Sequence, residues 1–373
     1  MDLSGNSAAL RSNRNAVLEA LRFVFASAVL CTHLSEDFGI RDETFGTLGS
    51  VQITFFKYGN LGVEFFFLVS GALLAASVFR RNRNEMPVNP ETLGEETAGY
   101  VLKKMRSLWR LYLPASLCAI IYYIMQGEDL MYFIYRLPGL LFLQRTGISE
   151  PSFMELTWFL SSMLIVTAIL YPILRRHYGN FTCLIAPLGS LMILGIILFN
   201  TSGLGDPYSW MGIIYKCNLR ALAEMSLGCT CYEIGRRCRE REIPAATRVI
   251  LSVGAVASIL FVLLYMCSNE PPETNRMVVL ALAFALVVFF GRLGYWRDSP
   301  IYRSRFLIYL GSLSLPMYLF QFITRAVFRD VLDFGKVRVN LIAAYLLTIV
   351  ISVIVKALLG LWERKQKAKQ EKV

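Results

Sequence analysis

An arginine and a histidine, Arg22 and His33, stand eleven positions apart inside the first long apolar run of the chain, AVLEALRFVFASAVLCTHL. On an α-helix at about 100° per residue, eleven steps come to roughly three turns plus 20°. Both side chains therefore fall on one face, about 16 Å apart along the axis. One stripe of one helix carries a fixed cation near one end and a group able to move protons near the other. An arginine near the middle of a membrane helix costs on the order of 3 kcal/mol, and such residues usually face a bundle interior or an aqueous cavity. Around His33 stand Thr32, Ser35, Glu36 and Asp37. A neighbouring carboxylate could orient one ring nitrogen and leave the other as a general base, the arrangement that activates a hydroxyl toward an acyl donor. The other reading is an interfacial histidine that marks a helix end, and the helix geometry alone does not separate the two.

Three further stretches place reactive or charged groups in apolar surroundings. GNLGVEFFFLVSGALLAAS (59–77) carries Gly59, Gly62, Ser70 and Gly71 with an apolar-register acid, Glu64. Small residues there let a backbone or a ligand approach closely. In KKMRSLWRLYLP, Lys103, Arg106 and Arg110 are spaced by three and four, so they line one helix face. Such a face would hold phosphates, or would anchor lipid headgroups. YKCNLRALAEMSLG (215–228) places Arg220 and Glu224 at i and i+4, an intramembrane ion pair that is either structural or one wall of a reaction chamber. Cys229 and Cys231 form a CxC pair, but with two histidines in the chain a metal site has few ligands to draw on, and none is expected.

The elements that must position these residues follow from composition. The chain of 373 residues is 55% hydrophobic and 17% charged, with mean hydropathy +0.50, against roughly 45–50% and 25% in soluble domains. Apolar runs near span length fall at 15–35, 57–79, 108–126, 154–174, 182–200, 209–233, 247–267, 277–293, 306–328 and 339–361. The pattern predicts an all-α, polytopic membrane helix bundle of about ten transmembrane helices, forming one domain over 1–373. Arg11 and Arg14 precede an apolar run too long for a signal peptide and without a small-x-small cleavage pattern, so the first span is expected to stay.

Basic residues gather on alternate loops, at 80–85 with 103–110, 175–180, 235–242, 296–305 and 363–372. By the positive-inside rule these are cytoplasmic, which places both termini inside, residues 1–14 as a short arm and 362–373 as a basic tail. The net charge of +11 is then a topology signal and an attraction to membrane lipid, not a nucleic-acid signature. Segment 130–145 contains Pro138 and reads as a short re-entrant or interfacial helix. Segment 91–107 reads as an amphipathic cytoplasmic helix, with Thr92 as N-cap and Glu95 at capping-box spacing. No inverted internal repeat is visible.

Taken in order, these segments resemble acyltransferase family 3, the integral-membrane O-acyltransferases. The resemblance runs from the Arg22-to-His33 spacing through GNLGVEFFFLVSGALL, KKMRSLWRLYLP and LTWFLSSMLI (156–165) to LGSLSLPMYLFQF (310–322), and covers most of the chain. It implies transfer of an acyl group, usually acetyl from cytoplasmic acetyl-CoA, to a hydroxyl of a surface polysaccharide or its lipid-linked precursor at a bacterial cytoplasmic membrane. It also implies essential roles for Arg22 and His33 and weight for Ser70, Gly71, Arg106, Arg110 and Trp158. On this reading CoA phosphates rest on Lys103, Arg106 and Arg110 with Ser70 and Gly71 nearby, while Glu36, Asp37, Trp158, Arg220 and Glu224 line the acceptor side. Many relatives carry Glu where this chain has Ser161, Ser162 and Met163, and His where it has Gln321, which leaves His33 to carry more of the proton transfer. A transporter or flippase of a lipid-linked glycan, or an idle membrane scaffold, are the rival classes.

Overall fold

Asn15 starts the first helix, its side-chain oxygen accepting from the amides of Val17 and Leu18 at 3.2 and 3.3 Å. From there α1 (Ala16–Asp37) runs unbroken through Arg22 and His33, and Gly39 at φ +70° turns the chain beyond its end. The computed structural model describes residues 15–84, 88–148, 151–201, 203–270 and 275–370. The N-terminal arm 1–14, with Arg11 and Arg14, lies outside the described residues, as does the end of the tail. After α1 come two short antiparallel strands, β1 (Thr44–Leu48) and β2 (Val51–Thr54), where the sequence reading has only a loop. Their turn is at Gly49, φ +61°.

Helix α2 (Gly62–Asn84) is followed by α3 (Leu93–Met125). With 33 residues, α3 is about 50 Å long and outruns a hydrocarbon core of about 30 Å, so the amphipathic segment and the third span are one helix. The expected Thr92 cap does not form. Its backbone is already near-helical at φ −96°, ψ −2°, and its hydroxyl approaches Asn89 O at 3.5 Å instead of the helix amides. Helix α4 (Leu130–Arg136), capped by Asp129, runs into a 3-10 turn, Leu137–Leu141, and is too short to span.

A kink replaces the expected loop at 175–180. α5 (Trp158–Asn180) passes through a π-turn, Phe181–Ile185, into α6 (Ala186–Asn200), with His177 at φ −129°, ψ 39° as the non-helical residue inside α5. The chain continues as α7 (Lys216–Arg239), α8 (Ala245–Met266), α9 (Asn275–Gly291), α10 (Arg305–Gly311), α11 (Ser314–Asp330) and α12 (Val337–Gln370). Among the described residues helix makes up 76% against 4% strand, so the fold is an all-α polytopic bundle. Each apolar run read from the sequence contains helix, although 209–233 opens in irregular chain and becomes helical only at Lys216. Six helical stretches among the described residues are long and apolar enough to cross a membrane, or seven when α10 and α11, bent by 41°, count as one span. α7 falls short because it carries internal charges, and α9 because it has 17 residues.

The helices group into two compact units, one made of residues up to Asn60 and from Pro300 onward, the other of Leu61–Ser299. In the first, α1 packs on α10, α11 and α12. Leu30 and Leu34 of α1 meet Leu313, Met317, Leu341 and Ala344 in its core. In the second, α7 is the hub, packing on α2, α5, α6 and α9. α2 and α7 lie parallel and touch backbone to backbone. A Cβ on Gly71 would stand 1.9 Å from Met225 O, and one on Gly228 2.0 Å from Leu68 O. Cys229 Sγ adds a hydrogen bond to Gly71 O at 3.3 Å.

Gly228→Leu should therefore force α2 and α7 apart and lower stability by about 3 kcal/mol or more, read as a fall in the melting temperature of the detergent-purified protein. Gly99→Ala, with nothing within 4 Å of the new Cβ, should leave it unchanged or raise it slightly.

Candidate functional site

The C-terminal turn of α1 gathers charge. His33 Nδ1 lies 3.3 Å from Glu36 Oε2, one turn along the same helix. The second Glu36 oxygen pairs with Arg41, just past the turn at Gly39. Asp37 does not share this job; it accepts from Arg325 of α11, with Arg325 Nη2 at 2.8 Å from Oδ1. The His33 side chain is 16% exposed, so the imidazole sits at a partly covered edge rather than in open solvent. On its flank the Thr32 hydroxyl donates to Phe56 O at 2.7 Å. A Cβ on Gly59 would meet Ala28 O and Thr32 Oγ1 at 2.3 Å, so the segment before α2 lies directly on α1. Beyond the turn Lys57 approaches Asp42 at 2.6 Å and, by that hydrogen bond and its charge, holds the Asp42 carboxyl below the usual carboxylate range.

With Nδ1 engaged by a carboxylate, Nε2 is the nitrogen left for a further partner, and the carboxylate would stabilise the ring if it took up a proton. Three turns earlier on α1, Arg22 Nη1 lies 3.5 Å from Glu19 Oε2, with a third of its side chain exposed. Its Nε is buried and has no hydrogen-bond partner. Glu19 is a residue the sequence reading passes over, although its i−3 spacing to Arg22 is visible there. Gly311 of α10 packs against it, a Cβ there standing 2.4 Å from Glu19 O.

The other predicted residues lie in the second unit. The expected Arg220–Glu224 pair does not form: Arg220 pairs with Glu64 of α2, which the parallel packing of α2 on α7 brings within reach. Both groups are buried, and the Trp158 ring lies 5.5 Å from the guanidinium. Glu224 is fully buried and neither of its oxygens has a hydrogen-bond partner; one oxygen of Glu64 and Nε of Arg220 share that state. This is a closed cluster of two acids and one guanidinium.

Lys103, Arg106 and Arg110 line up along an exposed face of α3. Gly71 spends its open side on the Met225 carbonyl, and the Ser70 hydroxyl stands 3.5 Å from Met163 Sδ. The Ser161 hydroxyl lies within hydrogen-bond reach of the Phe142 and Gln144 carbonyls at 2.6 and 2.7 Å. Gln321 is fully buried, donating to Tyr318 O at 2.9 Å with its amide oxygen unpartnered.

The first span thus carries a histidine hydrogen-bonded to a carboxylate near its end and an arginine three turns earlier. The chain matches the acyltransferase-domain family, acyltransferase family 3, over residues 15–360 and belongs to it. It is a membrane acyltransferase. No curated protein and no solved structure matches it.

Arg220→Met should cost about 3–5 kcal/mol by leaving two buried acids without their cation. Joining it with Glu64→Leu should recover much of that loss. Thermal unfolding of the single and double variants in detergent checks both.

Proposed function

We propose that the protein transfers a short acyl group, acetyl being the simplest, from cytoplasmic acyl-CoA to a hydroxyl of a cell-surface polysaccharide or its lipid-linked precursor. The observation that carries this reading is the His33–Glu36 pair at 3.3 Å in a chain of the acyltransferase family. His33 takes the proton of the acceptor hydroxyl. The oxygen bonds to the acyl carbon as the carbon–sulfur bond breaks, and the thiolate of CoA leaves and regains a proton. Glu36, steadied by Arg41, orients the ring and offsets its positive charge as the proton moves. The Asp37–Arg325 pair holds the end of α1 on α11, so the ring is carried on a fixed element.

Arg22, with a free buried Nε, is suited to the thioester carbonyl or the CoA arm. Its distance from His33, about 16 Å along the helix, is comparable to an extended pantetheine arm, which suits a donor from one side of the membrane and an acceptor from the other. Lys103, Arg106 and Arg110 offer the CoA phosphates guanidinium and ammonium donors. Within the second unit, packing engages Gly71 and pairing engages Arg220.

His33→Ala should abolish transfer of label from radiolabelled acetyl-CoA to a lipid-linked glycan extract by membranes containing the protein, with insertion intact. Glu36→Gln should slow it about 100-fold. Full transfer by the His33→Ala membranes would overturn the mechanism.

A further inference from the structure

At the end of the second unit where α7 and α9 finish and α8 begins, a cavity of about 150 Å³ is lined by Arg239, Arg241, Arg248, Arg292 and Arg297, with Asp298 as its acid. Asp298 is already engaged by Arg297 at 3.0 Å. The general excess of basic residues on these loops does not account for the grouping. One turn back on α7, Arg236 and Arg237 are neutralised by Glu233 at 2.8 and 2.5 Å, and Arg236 also by Glu240 at 2.7 Å. Arg239, Arg241 and Arg248 make no ion pair among the described residues. They come from different stretches of the chain and converge on one cavity, where an anion would relieve their mutual repulsion.

The cavity is also built on fixed backbone. A Cβ on Gly235 would stand 2.8 Å from Val287 O, and one on Gly291 2.6 Å from Gly235 O, so the ends of α7 and α9 are locked together beside it. Arg292 follows at φ +50°, a left-handed conformation that side chains other than glycine rarely take. The next turn is tied to α8: the Tyr295 amide donates to Ser252 Oγ at 2.7 Å, and that hydroxyl donates to Arg248 O at 2.9 Å. Guanidinium groups on a preset frame suit a multiply charged phosphate, which they bind in bidentate fashion.

We propose that this cavity is a second phosphate site, separate from the Lys103–Arg110 face of α3, and that it takes a diphosphate or an equivalent clustered phosphate anion. The same chemistry is presented by the nucleotide diphosphate of a CoA-type donor and by the headgroup of an anionic phospholipid. The site does not depend on acyl transfer, so loss of transfer in the His33→Ala chain leaves it standing.

The test is binding of pyrophosphate to the full-length protein purified in neutral detergent, by calorimetry. Wild type should bind it, Arg241→Gln/Arg248→Gln should weaken binding about tenfold or more, and Lys103→Gln/Arg106→Gln/Arg110→Gln should retain it. Displacement by CoA assigns the site to a nucleotide. Displacement by phosphatidylglycerol, compared with phosphatidylcholine alone, assigns it to a lipid headgroup. Absence of pyrophosphate binding, unchanged binding in the Arg241/Arg248 variant, or binding that neither competitor displaces would overturn the proposal.

Discussion

A carboxyl group that stays ionised away from water must be met by a cation, and in the larger unit Glu64 meets Arg220 across helices. Bringing the two together requires α2 and α7 to lie closer than side chains normally permit, which Gly71 and Gly228 make possible by letting each backbone rest on the other. Once α2 and α7 are fixed in register, the remaining contacts follow: Trp158 of α5 sits by the guanidinium, and α6 and α9 flank α7. Glu224 is carried into the same closed space without a hydrogen-bond partner for either oxygen. Its position is a consequence of the helix it rides on, one turn beyond Arg220.

The smaller unit meets the same constraint with shorter reach. Its charges stand at the two ends of α1, Glu19 with Arg22 near the start, Glu36 and Asp37 with Arg41 and Arg325 at the finish. The middle is apolar, packed through Leu30 and Leu34 against α11 and α12. The Asp37–Arg325 pair ties the end of α1 to α11, while the Glu19–Arg22 pair stays within α1. His33 thus stands one turn before a residue that is tied to another helix.

The extent of helix was legible in the chain because a membrane leaves helices and closed barrels as the spanning structures, and runs such as 247–267 announce themselves by composition. Boundaries were less so. Thr92 and Glu95 match a capping box by spacing, yet the backbone at Thr92 is already helical and the helix runs on through Pro114 to Met125. The segment around His177 looks like a basic loop, but one residue leaving the helical region is enough to turn the chain. The β1–β2 hairpin had a usable signal in TFGTLGSVQIT, with Gly-Ser at the turn.

The sequence by itself determined which residues share a helix face: Arg22 with His33, His33 with Glu36, and the Lys103, Arg106 and Arg110 stripe. Those relations depend only on local helical geometry, which holds wherever the helix forms. Tertiary structure decided the partners. Arg220 is as near in sequence to Glu224 as a helix pair can be, yet it meets Glu64, 156 residues away, and Asp37 meets Arg325 at a separation of 288. Spacing along one chain segment carries no information about which helix will pack beside it. That choice is made by glycine contacts and apolar seams, and the charges take the partners those seams bring.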